Sequence, residues 1–264
     1  MDILVLNYTE ACNSQCATCD LWRVKDPKTL PLNVIERALS SARMKGLTNL
    51  YLTGGEPFLT EECVGIAQIL ARTHPGATIS GATNALQPER YLRHMLAMRD
   101  AGVTLTLSIS LNGAEEFHDD SRGTPGSHDN CLMLAGMMTA ERIFFNFAYL
   151  DCRQGPEHFV YVEQLAQRYG TSVVVTHERN SDRYAHDTSV GIVPATRDFA
   201  CRCPNDICCV WPDGDVTACE EDDPELVIGN LYEETLDEMD FDTVAAYVAA
   251  GNCRPCTMGC FEGK

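Results

Sequence analysis

Strand-like apolar runs alternate with amphipathic helical stretches along the first two thirds of the chain, and that alternation limits the fold more than any other feature. The runs are Ile3–Tyr8, Asn49–Thr53, Thr78–Thr83, Thr104–Leu111, Ile143–Leu150 and Ser172–Thr176. Between them the spacing predicts helices over Leu32–Lys45, Thr60–Thr73, Pro88–Ala101, Asp129–Glu141 and Pro156–Tyr169. Pro31, Pro88 and Pro156 stand where a first helical turn tolerates proline, and Gly46, Gly102 and Gly170 follow three of the helices as stops. Such alternation implies an α/β protein with a parallel sheet and right-handed crossovers. Five or six units are too few to close an eightfold barrel, so an open, partial barrel is expected. Ligands in such architectures gather at the carboxyl ends of the strands.

Three thiols lie at that end of the first strand, in Ala11-Cys12-Asn13-Ser14-Gln15-Cys16-Ala17-Thr18-Cys19. One loop with three cysteines can face a single metal centre. A cubane iron–sulfur cluster normally takes four thiolates, so a cluster held here alone keeps one iron open to a small molecule. The competing reading is a zinc knuckle. Zinc prefers paired CxxC units and a closed set of four ligands, and this loop has neither a fourth Cys nor a nearby His.

The CxxxCxxC spacing resembles the signature of the radical S-adenosylmethionine (SAM) superfamily. In that family the open iron chelates the amino and carboxylate groups of SAM, and one electron cleaves the cofactor to a 5′-deoxyadenosyl radical. Other motifs extend the resemblance. Gly54-Gly55-Glu56-Pro57 after the second strand is similar to the family's GGEP turn, which implies that Gly54, Gly55 and Glu56 face the SAM amino group. Asn84, in Thr83-Asn84-Ala85, resembles a TNG turn with alanine in place of glycine. Ser108, Ser110 and Asn112 share one face of the fourth strand. The resemblance puts the two serines near the SAM ribose and carboxylate, and the plainer reading is a set of satisfied polar groups in a barrel mouth. His118-Asp119-Asp120-Ser121-Arg122-Gly123-Thr124-Pro125-Gly126-Ser127 is similar to the HDxxRGxxGS stretch of the cluster-rich branch. Arg122 then clamps the SAM carboxylate or forms a surface salt bridge, and His118 reads as structural. Thr18 departs from the family, which usually has an aromatic residue there beside the adenine; Trp22 or Leu21 is the candidate replacement.

Composition sets the remaining bounds. The chain has 264 residues, 45% of them hydrophobic, enough for one sizeable domain and a small appendage. No run of about 18 apolar residues predicts a membrane span, and Met1-Asp2 leads into the first strand without a signal-like segment, so a cytoplasmic protein is expected. The net charge of −18 argues against nucleic-acid partners. From Cys201 to Lys264 there are 15 acidic and 3 basic residues, read either as a solvated surface or as an attractor for a cationic substrate.

Eight of the 14 cysteines lie between Cys201 and Cys260, and in a cytosolic chain metal ligation explains them better than disulfides. Cys201 and Cys219 flank Trp211-Pro212-Asp213-Gly214-Asp215-Val216, and Cys253-Arg254-Pro255-Cys256 follows. This resembles the SPASM/Twitch extensions, and the resemblance implies an auxiliary [4Fe–4S] cluster on Cys201, Cys219, Cys253 and Cys256. Cys203 substitutes for Cys201, and Cys208 or Cys209 less well; a structural zinc is the alternative. The division expected is a partial (β/α)6 barrel over residues 1–180 and a cysteine-rich extension over 181–264. Cys152, past the fifth strand, is either a loop thiol or a catalytic hydrogen-atom donor, while Cys63 and Cys131 belong to the core.

The resemblance implies an enzyme that abstracts a hydrogen atom from a small polar metabolite, such as an amino sugar or cyclitol, and oxidises or epimerises it. A maturase of a ribosomally made peptide is the alternative. An electron donor such as flavodoxin or ferredoxin is the implied protein partner.

Overall fold

The computed structural model describes residues 1–151, 154–177, 203–219 and 224–250. Among the described residues nine strands form one sheet, in the order β6-β5-β4-β3-β2-β1-β7-β8-β9. Strands β1 (Ile3–Thr9), β2 (Asn49–Gly54), β3 (Thr78–Thr83), β4 (Thr104–Ser110), β5 (Phe145–Asp151) and β6 (Val173–His177) run parallel, each beside its neighbour in sequence. Helices α1 (Leu32–Leu39), α2 (Glu62–Thr73), α3 (Pro88–Asp100), α5 (Ser127–Ala140) and α6 (Pro156–Tyr169) occupy the connections. The α/β architecture and its parallel sheet agree with the sequence reading.

Alternation along the strands sorts the two faces. Leu4, Leu6 and Tyr8 on β1, Leu50 and Leu52 on β2, and Leu105, Leu107 and Ile109 on β4 are buried in one core with Ile35, Ile66, Tyr91 and Leu134 of the helices. The opposite face carries Val5, Asn7 and Thr9, then Tyr51 and Thr53, then Ser80 and Ala82, by the two-residue period of a strand.

Two local differences from the sequence reading have simple causes. The helix expected over 32–45 ends at Leu39 and resumes as a 3-10 turn over Ala42–Gly46, because the Ser41 hydroxyl accepts from Arg43 N–H and starts a new cap. Helix α4 (Glu115–Arg122) lies where the sequence reading named no element. Its sequence, EEFHDDSR, has one strongly apolar side chain and hence no hydrophobic period to read.

The C-terminal segment is built onto the barrel. Strand β7 (Ile207–Val210) pairs parallel with β1, and β8 (Asp215–Thr217) and β9 (Val227–Asn230) continue antiparallel. Cys208, Val210, Leu231, Leu236 and Phe241 enter the main core. On the other face Val5, Ile207, Cys209, Trp211, Ala218 and Leu226 pack with Val244 and Val248 of α7 (Phe241–Ala249). The described part of the extension thus forms a small apolar cluster around Val5 on one face and sends further side chains into the barrel's core on the other. Asp237 fastens it further, accepting from Ser41 Oγ at 2.7 Å and from the backbone N–H groups of Ala42 and Arg43 at 3.0 and 3.1 Å.

Candidate active site

The cysteine loop leaves the carboxyl end of β1 and is held by backbone hydrogen bonds on both sides. On the β2 side Gly55 N–H donates to Thr9 O at 2.7 Å and Glu56 N–H to Ala11 O at 2.9 Å. A side chain at Gly54 or Gly55 would overlap the carbonyl oxygens of Thr9 and Ala11, and Gly54 has φ +126°. Glycine is what lets the two backbones touch. On the α4 side Gln15 N–H donates to Arg122 O at 3.1 Å and Ala17 N–H to Ser121 O at 3.0 Å. Trp22 closes the loop with an indole N–H donated to Cys16 O at 3.3 Å, while Leu21 is buried.

Polar atoms converge on the sulfurs. Ser14 N–H donates to Cys12 Sγ at 3.5 Å, Asn84 Nδ2 lies 3.9 Å from the same atom, and Ser14 Oγ is 3.1 Å from Cys16 Sγ. Arg122 Nη1 donates to Cys16 Sγ at 3.5 Å and Nη2 to Asn112 Oδ1 at 3.4 Å, whereas its Nε is buried with no partner among the described residues. Donors around a sulfur favour its thiolate. Burial works against them in the bare thiols, pushing Cys12 up to about 12 and Cys19 upward as well, so iron must displace those protons to be bound. Among the described residues no three His, Cys, Asp or Glu side chains converge on a single ion. A cubane asks something different, since each thiolate takes its own iron. Three partly exposed thiols in one loop, with N–H donors and a guanidinium carrying an unpartnered nitrogen, fit such a cluster.

Glu56 is placed differently from its neighbours in the turn. Its carboxylate is buried and accepts from Thr83 Oγ1 at 2.9 Å, Phe58 N–H at 3.1 Å and Asn84 N–H at 2.6 Å. Burial pushes it up to about 7 against those hydrogen bonds. It ties the end of β2 to the end of β3. Asn84 in turn donates to Asn13 Oδ1 at 2.9 Å and accepts from Leu86 N–H at 3.0 Å. Ala85, standing where glycine resembled the family better, adopts φ +59°.

His118 accepts from Asn112 N–H through Nδ1 at 3.0 Å, and its Nε2 lies 3.7 Å from Cys131 Sγ. Burial, then the charges of Arg122 and His128, lower it to about 3. It is a neutral brace, in keeping with a structural role. Ser108 and Ser110 are partly exposed on the open face of β4. Three residues the sequence did not single out belong to the constellation. Ser14 and Ser121 had no signal, and Tyr91, which exchanges hydrogen bonds with Asn13 at 3.0 and 3.2 Å, reads as one more apolar-face residue of α3.

In the extension, Cys219 follows β8 partly exposed, and Cys203 is buried. Cys208 and Cys209 are adjacent on β7 and enter opposite cores. Cys152, Cys201, Cys253 and Cys256 lie outside the described residues.

An open parallel sheet whose strand ends gather thiols, amides and a guanidinium is an enzyme architecture with its site at the carboxyl edge. The family is shown directly: a model described as the radical SAM superfamily matches residues 6–143, and the chain belongs to that superfamily. It is therefore an enzyme of a class that uses a [4Fe–4S] cluster and SAM. It is 30% identical over 148 residues to GTP 3′,8-cyclase 1 of Pseudomonas aeruginosa, covering 55% of this chain and 43% of that one. The chain thus spans less than half the length of that relative. The fold is similar to SuiB of Streptococcus suis bound to S-adenosylmethionine, with TM-score 0.72, 15% identity and coverage of 89% of this chain and 64% of SuiB; the complex of SuiB with precursor peptide SuiA gives 0.67. BtrN in complex with AdoMet and 2-DOIA is similar with TM-score 0.52 and 16% identity, covering 98% of this chain and 94% of BtrN. These structural likenesses establish the fold alone. Among the described residues no helix is long and apolar enough to cross a membrane.

Proposed function

We propose that Cys12, Cys16 and Cys19 hold three irons of the [4Fe–4S] cluster and leave the fourth to the amino and carboxylate groups of SAM. When bound, cluster and SAM supply a radical able to take a hydrogen atom from an unactivated carbon. The chain's own residues bind and orient. Gly54 and Gly55 bring backbone to the amino group, with the Glu56 carboxylate spent on holding the turn. Arg122 offers its guanidinium, and Ser108, Ser110 and Asn84 offer neutral donors and acceptors along the strand ends. The single observation that carries this reading is the convergence of the β1 loop, the β2 turn, Asn84 and Arg122 at one edge of the sheet.

For the outcome we infer oxidation or epimerisation of a small polar metabolite, an amino sugar or cyclitol being the class favoured. BtrN, which this chain matches over nearly its whole length, is in complex with AdoMet and 2-DOIA and not with a peptide. An auxiliary cluster on Cys201 (or Cys203), Cys219, Cys253 and Cys256, in a SPASM/Twitch-like extension over 181–264, would supply an electron acceptor for the oxidation. In an epimerisation Cys152 returns a hydrogen atom to the substrate carbon. A peptide maturase is the second reading, favoured by the higher structural likeness to SuiB. A ferredoxin or flavodoxin is the reductant proposed.

The test is anaerobic incubation of reduced, reconstituted protein with SAM, and the reading fails if no 5′-deoxyadenosine forms. Deuterium in the substrate appears in 5′-deoxyadenosine under either outcome, whereas solvent deuterium at the product carbon marks epimerisation. Cys152→Ala then abolishes the epimerised product and spares SAM cleavage.

A further inference from the structure

The sheet face opposite α1, α2, α3, α5 and α6 carries a level row of side chains. Asn7 on β1 stands opposite Thr53 on β2, and Ser108 on β4 stands between Ala82 of β3 and Asn146 of β5. The β2–β3 register places Thr53 beside Ala82, which completes the row. One level down, Val5 lies in the apolar cluster with Cys209, Trp211, Val244 and Val248. One level up, β1 ends and the cysteine loop begins. The row is thus a polar shelf between an apolar plug and the cysteine loop.

Two atoms of this shelf, Asn7 Nδ2 and Asn146 Oδ1, are buried and have no hydrogen-bond partner among the described residues. Asn7 is 9% exposed and, by strand alternation, shares its face with Val5 and Thr9 and not with the helix-side Leu6 and Tyr8. A buried donor left unmade is costly, and native chains keep one mainly where something else completes it. None of the five side chains is ionisable. The row itself therefore offers a phosphate or carboxylate no counter-charge, and burying an unpaired charge there is strongly unfavourable. A hydroxyl-bearing ring can both accept and donate along its edge.

We propose that Asn7 is a substrate-contacting residue, its Nδ2 donating to a neutral oxygen of a hydroxyl-bearing small molecule seated on the row Asn7, Thr53, Ala82, Ser108 and Asn146, and that this shelf selects against anionic substrates. The proposal rests on the reading of the active site given above. It adds the residue and the chemical class that this residue recognises.

The experiment uses the full chain, reconstituted anaerobically and loaded with SAM, titrated calorimetrically with myo-inositol and with myo-inositol 1-phosphate. Wild type binds myo-inositol saturably and the phosphate ester at least tenfold more weakly. Asn7→Leu keeps the shape and removes the unpartnered donor. It weakens myo-inositol at least tenfold, leaves SAM affinity within twofold, and does not lower the Tm of the ligand-free protein. A drop of several degrees in that Tm would show that the amide serves the fold, and would overturn the proposal. So would absence of myo-inositol binding to wild type, equal binding by Asn7→Leu, or an ester that binds as well as the polyol. Failure of wild type to form 5′-deoxyadenosine would sink the active-site reading itself, and that outcome is separate from all of these.

Discussion

Arg122 touches the cysteine loop through both side chain and backbone: its Nη1 donates to Cys16 Sγ at 3.5 Å, and its carbonyl accepts from Gln15 N–H at 3.1 Å and from Ser14 Oγ at 3.3 Å. One residue therefore sets both the electrostatics at a sulfur and the path of the loop, and a substitution separates the two. Arg122→Met keeps the backbone bonds and the bulk of the side chain while removing the charge. Loss of a charge-assisted hydrogen bond is worth about 1.5–3 kcal/mol. SAM binding should weaken about tenfold to a hundredfold, and the cluster should become harder to reduce because a nearby positive charge is gone. Equilibrium dialysis and a redox titration read both effects. Unchanged affinity and potential would reduce Arg122 to a loop brace.

Glu56 gives a pH dependence with a definite sign. Its folded-state value is raised from 4.5 to about 7 by burial, so between those pH values the native state holds the proton more tightly than the unfolded chain. Stability from this group is present below pH 4.5 and falls as pH rises to 7, by up to about 3 kcal/mol at roughly 1.4 kcal/mol per unit. Glu56→Gln should be least harmful near neutral pH and costliest in acid. Urea denaturation of both proteins at pH 5 and pH 8 checks the difference, which isolates Glu56 from every other titrating group.

His118 acts in the opposite direction. Burial lowers it from 6.5 to about 3, so its contribution is complete above pH 6.5 and is lost as pH falls toward 3. The loss amounts to roughly 5 kcal/mol over that window. His118→Gln retains an acceptor for Asn112 N–H and removes the titration, so the acid limb of the stability profile should flatten. A variant as acid-sensitive as wild type would mean that His118 is charged in the fold.

The fold was legible where periodicity is local. Each of the first six strands, and α1, α2, α3, α5 and α6, overlaps a run whose apolar spacing gave it away. What stayed hidden was non-local or lacked apolar content. Strand β7 is four residues long, and its partner β1 is some two hundred residues earlier; no sequence period reports a pairing of that kind. Its position also explains Cys208 and Cys209, whose adjacency invites a ligand pair but whose side chains enter opposite faces of the sheet. At the site, the thiols, the glycine turn and Arg122 were readable from spacing and resemblance. The role of Glu56 was not, because three hydrogen bonds from Phe58, Thr83 and Asn84 turn its carboxylate inward, and only tertiary structure brings those donors together. Asn7 was hidden for a related reason, since one polar residue in an apolar strand shows its meaning only when its neighbours' side chains are placed.

Two glycines give the sharpest contrast between a contact that function needs and one it does not. Gly55 lies against the carbonyl of Ala11, where the β2 turn meets the cysteine loop, and an added methyl group would overlap that oxygen. Backbone cannot swing aside as a flexible side chain can, so Gly55→Ala should displace the loop and the three sulfurs it carries. Reconstituted protein should then lose one cluster's worth of iron and sulfide per chain and all 5′-deoxyadenosine formation, with little change in helix content by circular dichroism. Gly136, within α5, has nothing near the position of its missing methyl. Gly136→Ala should therefore retain its iron and gain about 0.5–1 kcal/mol of stability from helix propensity. Full iron retention by Gly55→Ala would show that the turn and the loop tolerate separation, and the tight β2 contact would then have no part in assembling the site.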